Sequence, residues 1–139
     1  MTPINFKVGD EEYQLLPHTG FEALDLDRKV LGVIGRMAMN GVILDDEMGA
    51  FAAMSGTLSE MPTSEYHWLV KTTFSNLTVV TPGKKNVTLS DEKVIAEHFA
   101  GRLNELYTVM LRVWKEEKLS PFAAAPKNQD GALTEETQS

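Results

Sequence analysis

No cysteine occurs anywhere in the 139-residue chain. That absence excludes disulfide staples and thiolate metal centres, so an ordinary apolar core must hold the fold. Long hydrophobic runs are missing too. The most apolar stretch, Val30 to Leu44, carries Arg36 within it and is shorter than the ~20 residues needed to cross a bilayer. The opening Met1-Thr2-Pro3-Ile4-Asn5 has neither the basic region nor the apolar segment of a signal peptide. These features lead us to expect a soluble intracellular protein with no membrane partner. The sequons Asn76-Leu77-Thr78 and Asn86-Val87-Thr88 need secretion to matter, so they are read as chance. Basic charge is also scarce: 13 Lys and Arg stand against 20 Asp and Glu, for a net charge of −7. A surface of that sign repels phosphate backbones, which argues against a nucleic-acid partner.

The chain is equally short of groups that do chemistry. Its three histidines, His18, His67 and His98, include no pair at i and i+4 on a helix, so the two-histidine zinc motif is absent. His98, inside an apolar stripe, reads as a core-edge side chain, and His67 beside Trp68 as packing. Gly32-Val33-Ile34-Gly35 falls mid-helix with no Lys-Ser/Thr behind it, so it permits close packing rather than cradling phosphate. Asp45-Asp46-Glu47 lacks the alternating ligands and central glycine of a calcium loop and suits the first turn of a helix. Ser55-Gly56 and Ser59 show no nucleophile-elbow signature. No catalytic residue, cofactor or metal is therefore expected, and a binding or assembly role is favoured over an enzyme.

What is present is patterning. A hydrophobic content of 42% suits a globular domain. Ile4, Phe6 and Val8 alternate, Gly9-Asp10-Glu11 turns the chain, and Tyr13 to Leu16 returns as the second strand of an N-terminal β-hairpin. Such a hairpin is marginal alone, so its apolar face must rest on a helix. Pro17 ends it. A helix is expected from Gly20 to Met39, with Phe21, Leu24, Val30, Leu31, Ile34 and Met37 facing inward and Asn40-Gly41 as its terminator. A second helix spans about Asp45 to Met61, and a third follows Pro62 with Tyr66, Leu69, Val70, Phe74 and Leu77. The β-branched residues either side of Pro82-Gly83 suggest a second hairpin near 78–89. The last helix reads as one long element, capped by Ser90 and carrying an apolar stripe from Val94 to Trp114 before Ser120-Pro121 stops it.

The fold class is thus α+β and mainly helical, with about four helices. Residues 1–120 form one globular domain. Residues 121–139 are a flexible polar tail, too poor in apolar surface to offset the entropy of ordering. Candidate partner-binding positions are the methionines clustered mid-chain, Met37, Met39, Met48, Met54 and Met61, since methionine repacks easily, with ordinary core filling as the competing and favoured reading. Phe122 and Leu133 are the tail's two substantial apolar anchors.

The opening module resembles the tail assembly chaperones of long-tailed bacteriophages. The residues that carry the likeness are Phe6 to Pro17, with its Tyr-Gln-Leu-Leu-Pro strand, and Phe21 to Gly35, with Gly-Phe-Glu-Ala-Leu leading into Val-Leu-Gly. The remainder is similar in layout. The resemblance implies a non-enzymatic protein of the host cytoplasm that binds the tape measure protein and recruits tail tube subunits, and that is absent from the finished virion. Two other readings of a small acidic α/β protein stay open. One is a dimeric secretion-type chaperone that holds an effector. The other is a structural tail or baseplate component retained in the particle.

Overall fold

The computed structural model describes residues 2–39 and 47–123. Among these residues the chain forms β1 (Ile4–Val8), β2 (Glu11–Leu15), α1 (Gly20–Met39), α2 (Glu47–Ser59), α3 (Thr63–Phe74), β3 (Leu77–Val80), β4 (Val87–Thr88), α4 (Glu92–His98), α5 (Leu103–Glu116) and α6 (Ser120–Ala123). The fold is α+β and mostly helical, as the patterning indicated. Asn40-Gly41, Asp45 and Asp46 lie outside the described residues.

The two hairpins join into one antiparallel sheet of order β1-β2-β3-β4. Sequence alternation explains the register. Phe6 pairs with Tyr13, Tyr13 with Val79, and Leu15 with Leu77, so one face carries every buried side chain. A one-residue slip would turn this whole set to solvent. Leu89, just beyond β4, adds to the same core. Helix α5 lies against β1 on this face, where the Arg112 guanidinium sits 5.1 Å from the Phe6 ring centroid. The expectation that a helix supports the hairpin is met.

Three details depart from the sequence reading. First, the stripe of α1 is phased differently. Leu26, Val30, Val33, Ile34 and Met37 face the core, while Phe21, Leu24 and Leu31 are exposed. Two apolar stripes fit on one helix, and α1 turns the longer one toward α2 and α3.

Second, the long C-terminal helix is broken. Helices α4 and α5 are separated by residues 99–102, where Gly101 adopts a left-handed φ of +77°. The break turns Phe99 fully inward against Phe74, ring centroids 5.4 Å apart. Arg102 then ties the ends together, donating to the His98 carbonyl and to Glu105 at 3.0 Å. The cap of α4 is Asp91 rather than Ser90, because Asp91 Oδ1 accepts the Val94 N–H at 3.0 Å.

Third, Ser120-Pro121 opens a helical turn instead of ending structure. Pro121 falls in the first turn, where no intrahelical N–H bond is needed from it, and Asp27 accepts the Ser120 N–H and hydroxyl at 2.6 Å each, which fastens α6 to α1. Leu77, read at the end of the third helix and also as strand, begins β3.

The core is sealed by large side chains. Trp114 is fully buried and its indole N–H donates to Thr73 Oγ1 at 3.1 Å, so its one polar atom is satisfied. Tyr66 and Tyr107 join α3 to α5 through their hydroxyls at 2.7 Å.

Candidate partner-binding face

Groups with displaced ionisation are the natural first place to look for chemistry, and each of them is engaged inside the fold. His18, in the loop before α1, is buried. Its Nδ1 lies 2.6 Å from Glu117 Oε2 and its Nε2 2.6 Å from the Thr72 carbonyl, while its backbone N–H donates to Glu117 Oε1 at 3.1 Å. A carboxylate and a carbonyl both accept, so both ring nitrogens donate and the ring is an imidazolium. Burial works against that charge, but the hydrogen bond and charge of Glu117, aided by Thr72 and Glu22, override it and raise the pKa. The result is a clamp joining the start of α1 to the ends of α3 and α5. The sequence does not single out His18, because its partner is 99 positions away.

His98 behaves oppositely. Its Nε2 is 3.0 Å from the Tyr13 hydroxyl, and burial followed by the nearby Arg102 charge lowers its pKa. The ring and the Tyr13 hydroxyl share one hydrogen bond through Nε2, and the Tyr13 phenol is itself pushed up by burial and by Glu11. Both histidines are structural. Among the described residues no group of three or more His, Cys, Asp or Glu is arranged to hold a metal.

The surface is more informative than the interior. The outer face of α1 exposes Phe21, Leu24 and Leu31 to 83%, 62% and 50%. With Arg28 and Gly35 they recur at spacings of three and four residues, which is the repeat of a helix-packing seam. Gly32 and Gly35 lie on the same face, and a Cβ added to either would meet nothing within 4 Å. Neither glycine is therefore required by packing within the described fold, although each weakens a helix interior by about 1 kcal/mol relative to alanine. Beside this ridge runs a groove of about 490 Å³ between α1 and α3, whose lining includes Arg28, Arg36, Gly32, Met61 and Trp68. Lys29, also on the groove, pairs with Glu65 at 2.5 Å. Arg28 and Arg36 form no ion pair among the described residues.

A family model described as phage tail assembly chaperone protein, TAC, matches residues 9–128. The chain belongs to this tail assembly chaperone family. No curated protein and no solved structure matches it. The family match accords with the likeness seen in the opening module and extends well beyond it. Among the described residues of this tail assembly chaperone, no helix is long and apolar enough to cross a membrane.

The candidate methionines scatter across different environments. Met37 and Met54 are fully buried in the core. Met61 is half-buried and lines the α1–α3 groove. Met39 ends α1 and Met48 lies in α2, but their side chains fall outside the described residues. Phe122 packs half-buried against the core, and Leu133 lies outside the described residues. The exposed face of α1 with Trp68 was missed as a candidate. The signal was available in the second three-and-four spacing through Phe21, Leu24, Arg28, Leu31 and Gly35, distinct from the core stripe through Leu26, Val30, Val33 and Met37.

Proposed function

We propose that this chain acts during tail assembly in the host cytoplasm by binding the tape measure protein and recruiting tail tube subunits to it, and that it leaves before the tail is complete. Family membership across residues 9–128 carries the reading. The exposed apolar ridge on α1 supports it physically, since a chaperone for an aggregation-prone filament core needs a surface that can cover apolar side chains. The net charge of −7 keeps such a protein soluble while that ridge is uncovered. No catalytic step is part of this role.

In this reading the α1–α3 face, with Met61 at its edge, holds the tape measure protein. The segment after α6, with Leu133 as its apolar anchor, recruits the second component. Co-expression tests the first part: the tape measure protein of the same phage should stay soluble and co-purify with the chain, and aggregation regardless of the chain would reject it. A stop codon after Ala123 tests the second. It should leave the urea midpoint unchanged and abolish tail formation, whereas normal tail yield would reject a recruiting role. Mass spectrometry of purified particles distinguishes a departing chaperone from a virion component, because stoichiometric copies in the particle would favour the latter.

A further inference from the structure

We propose that the α1–α3 groove is a docking site for an amphipathic helix whose apolar seam is flanked by carboxylates. This rests on the chaperone reading above and assigns both the place and the chemistry of the contact.

Three independent features converge there. The apolar ridge of Phe21, Leu24 and Leu31 runs along the exposed side of α1, which Arg28 shares with the groove, and the Trp68 indole, 37% accessible, lines that groove from α3. Gly32 in the groove lining and Gly35 on the ridge lower the helix surface, and neither is required by packing among the described residues, which lets a second helix backbone come close. Arg28 and Arg36 stand along the strip without ion-pair partners among the described residues. Lys29 is paired with Glu65, and among the remaining charged side chains of the lining Arg28 and Arg36 outweigh Asp25, so the groove is net basic within a chain whose total is −7. Carboxylates are what two unpaired guanidiniums select, through charge-assisted and often bidentate contacts.

The spacing gives the partner a shape. From Phe21 to Gly35 the ridge is about 21 Å long, which accommodates a helix of about four turns. Arg28 and Arg36 stand about 12 Å apart along the axis, so carboxylates seven or eight residues apart on one face of the partner meet both. A second copy of this chain is a poorer occupant. Two-fold pairing of α1 about the middle of its exposed stripe sets Arg28 against Arg28, between two bodies of charge −7.

Trp68 provides a local readout, because the second tryptophan, Trp114, is already fully buried. The probe is a synthetic peptide of three heptads with leucine at the first and fourth positions and glutamate at the flanking positions. A control peptide carries lysine for glutamate. Added to the full chain, the glutamate peptide should shift Trp68 emission to the blue, bind at least tenfold tighter than the lysine peptide, and weaken as salt rises. The Arg28→Glu/Arg36→Glu variant should lose at least tenfold in affinity for the glutamate peptide at an unchanged urea midpoint. Gly35→Leu, whose Cβ meets nothing within 4 Å, raises the surface there and should lose it as well, again at an unchanged urea midpoint.

Equal affinity for the two peptides, or full binding by Arg28→Glu/Arg36→Glu, overturns the proposal. So does a red shift of Trp68 in the peptide-free variant Asp130→Lys/Glu135→Lys/Glu136→Lys, which would make the chain's own tail the occupant. A concentration-dependent dimer abolished by Gly35→Leu would make it a second copy and overturn it too. Co-purified tape measure protein separates this proposal from the functional reading. Capture by the wild type and equal capture by Arg28→Glu/Arg36→Glu sinks the groove alone, and no capture by either sinks the function.

Discussion

The His18–Glu117 clamp sets a stability that depends on pH in a direction the geometry dictates. Consider Glu117→Gln, which keeps the side-chain shape. The carboxylate accepts twice from His18, from Nδ1 at 2.6 Å and from the backbone N–H at 3.1 Å, and both side chains of the pair are almost closed to solvent. Glutamine offers one acceptor and presents an amide N–H₂ to the other donor, so one buried donor loses its partner and the imidazolium loses its counter-charge. Breaking a buried pair from one side costs about 3–5 kcal/mol, a large share of the ~5–15 kcal/mol that hold a domain together. At ~1.5 kcal/mol per molar urea, a loss of ~3 kcal/mol lowers the midpoint by about 2 M.

The pH dependence follows from linkage. His18 has a raised pKa in the folded state, so its contribution is complete below the unfolded value near 6.5 and disappears as pH climbs through the folded value. Wild-type stability should therefore fall as pH rises above about 6.5, and Glu117→Gln should remove that fall. His98 has a lowered folded pKa, so its penalty appears only as pH drops below about 6.5, and this acid limb should survive in Glu117→Gln. The assay is urea unfolding followed by tryptophan fluorescence across pH 5 to 9. A midpoint drop under about 0.5 M, or a fall with rising pH that persists in the variant, would falsify the clamp.

Other expectations follow from single features. Gly32→Ala and Gly35→Ala meet open space, so each should stabilise the isolated chain by about 0.5–1 kcal/mol; a lower Tm in calorimetry would contradict an unneeded flexibility there. Gly101→Ala also meets open space but must take a left-handed φ of +77°, so it should destabilise by about 1–2 kcal/mol, read as a lower urea midpoint. Met37→Ala opens the core and should cost about 2–5 kcal/mol, whereas Met61→Ala, at the groove edge, should cost much less; equal losses would refute this division of the methionines.

Much of the architecture was legible because it is encoded over short distances. Period-two alternation in Ile4–Val8 and Tyr13–Leu15, the Pro-Gly turn before Val87, and the apolar spacing of the helical segments all act within a few residues. Such signals named the hairpins and most helices, and the soft likeness in the opening module pointed to the family that residues 9–128 match. The break at Gly101 was hidden by its neighbours: the apolar stripe continues across it, and glycine within a helical pattern is often tolerated. The phase of α1 was hidden for a related reason, since the helix carries two stripes and periodicity alone does not say which one is buried.

By itself, then, the sequence determined the class of fold, the absence of thiol chemistry, the acidic surface and the kinship. Those depend on composition and on local periodicity. Only the tertiary structure decided which stripe of α1 faces the core, that His18 is clamped by Glu117, and that Arg28, Arg36 and Trp68 share one groove. Each of these joins residues from separate elements, and contacts across such distances leave no mark on the spacing of either partner. The candidate binding face is what remained exposed after the core had taken the better-fitting stripe.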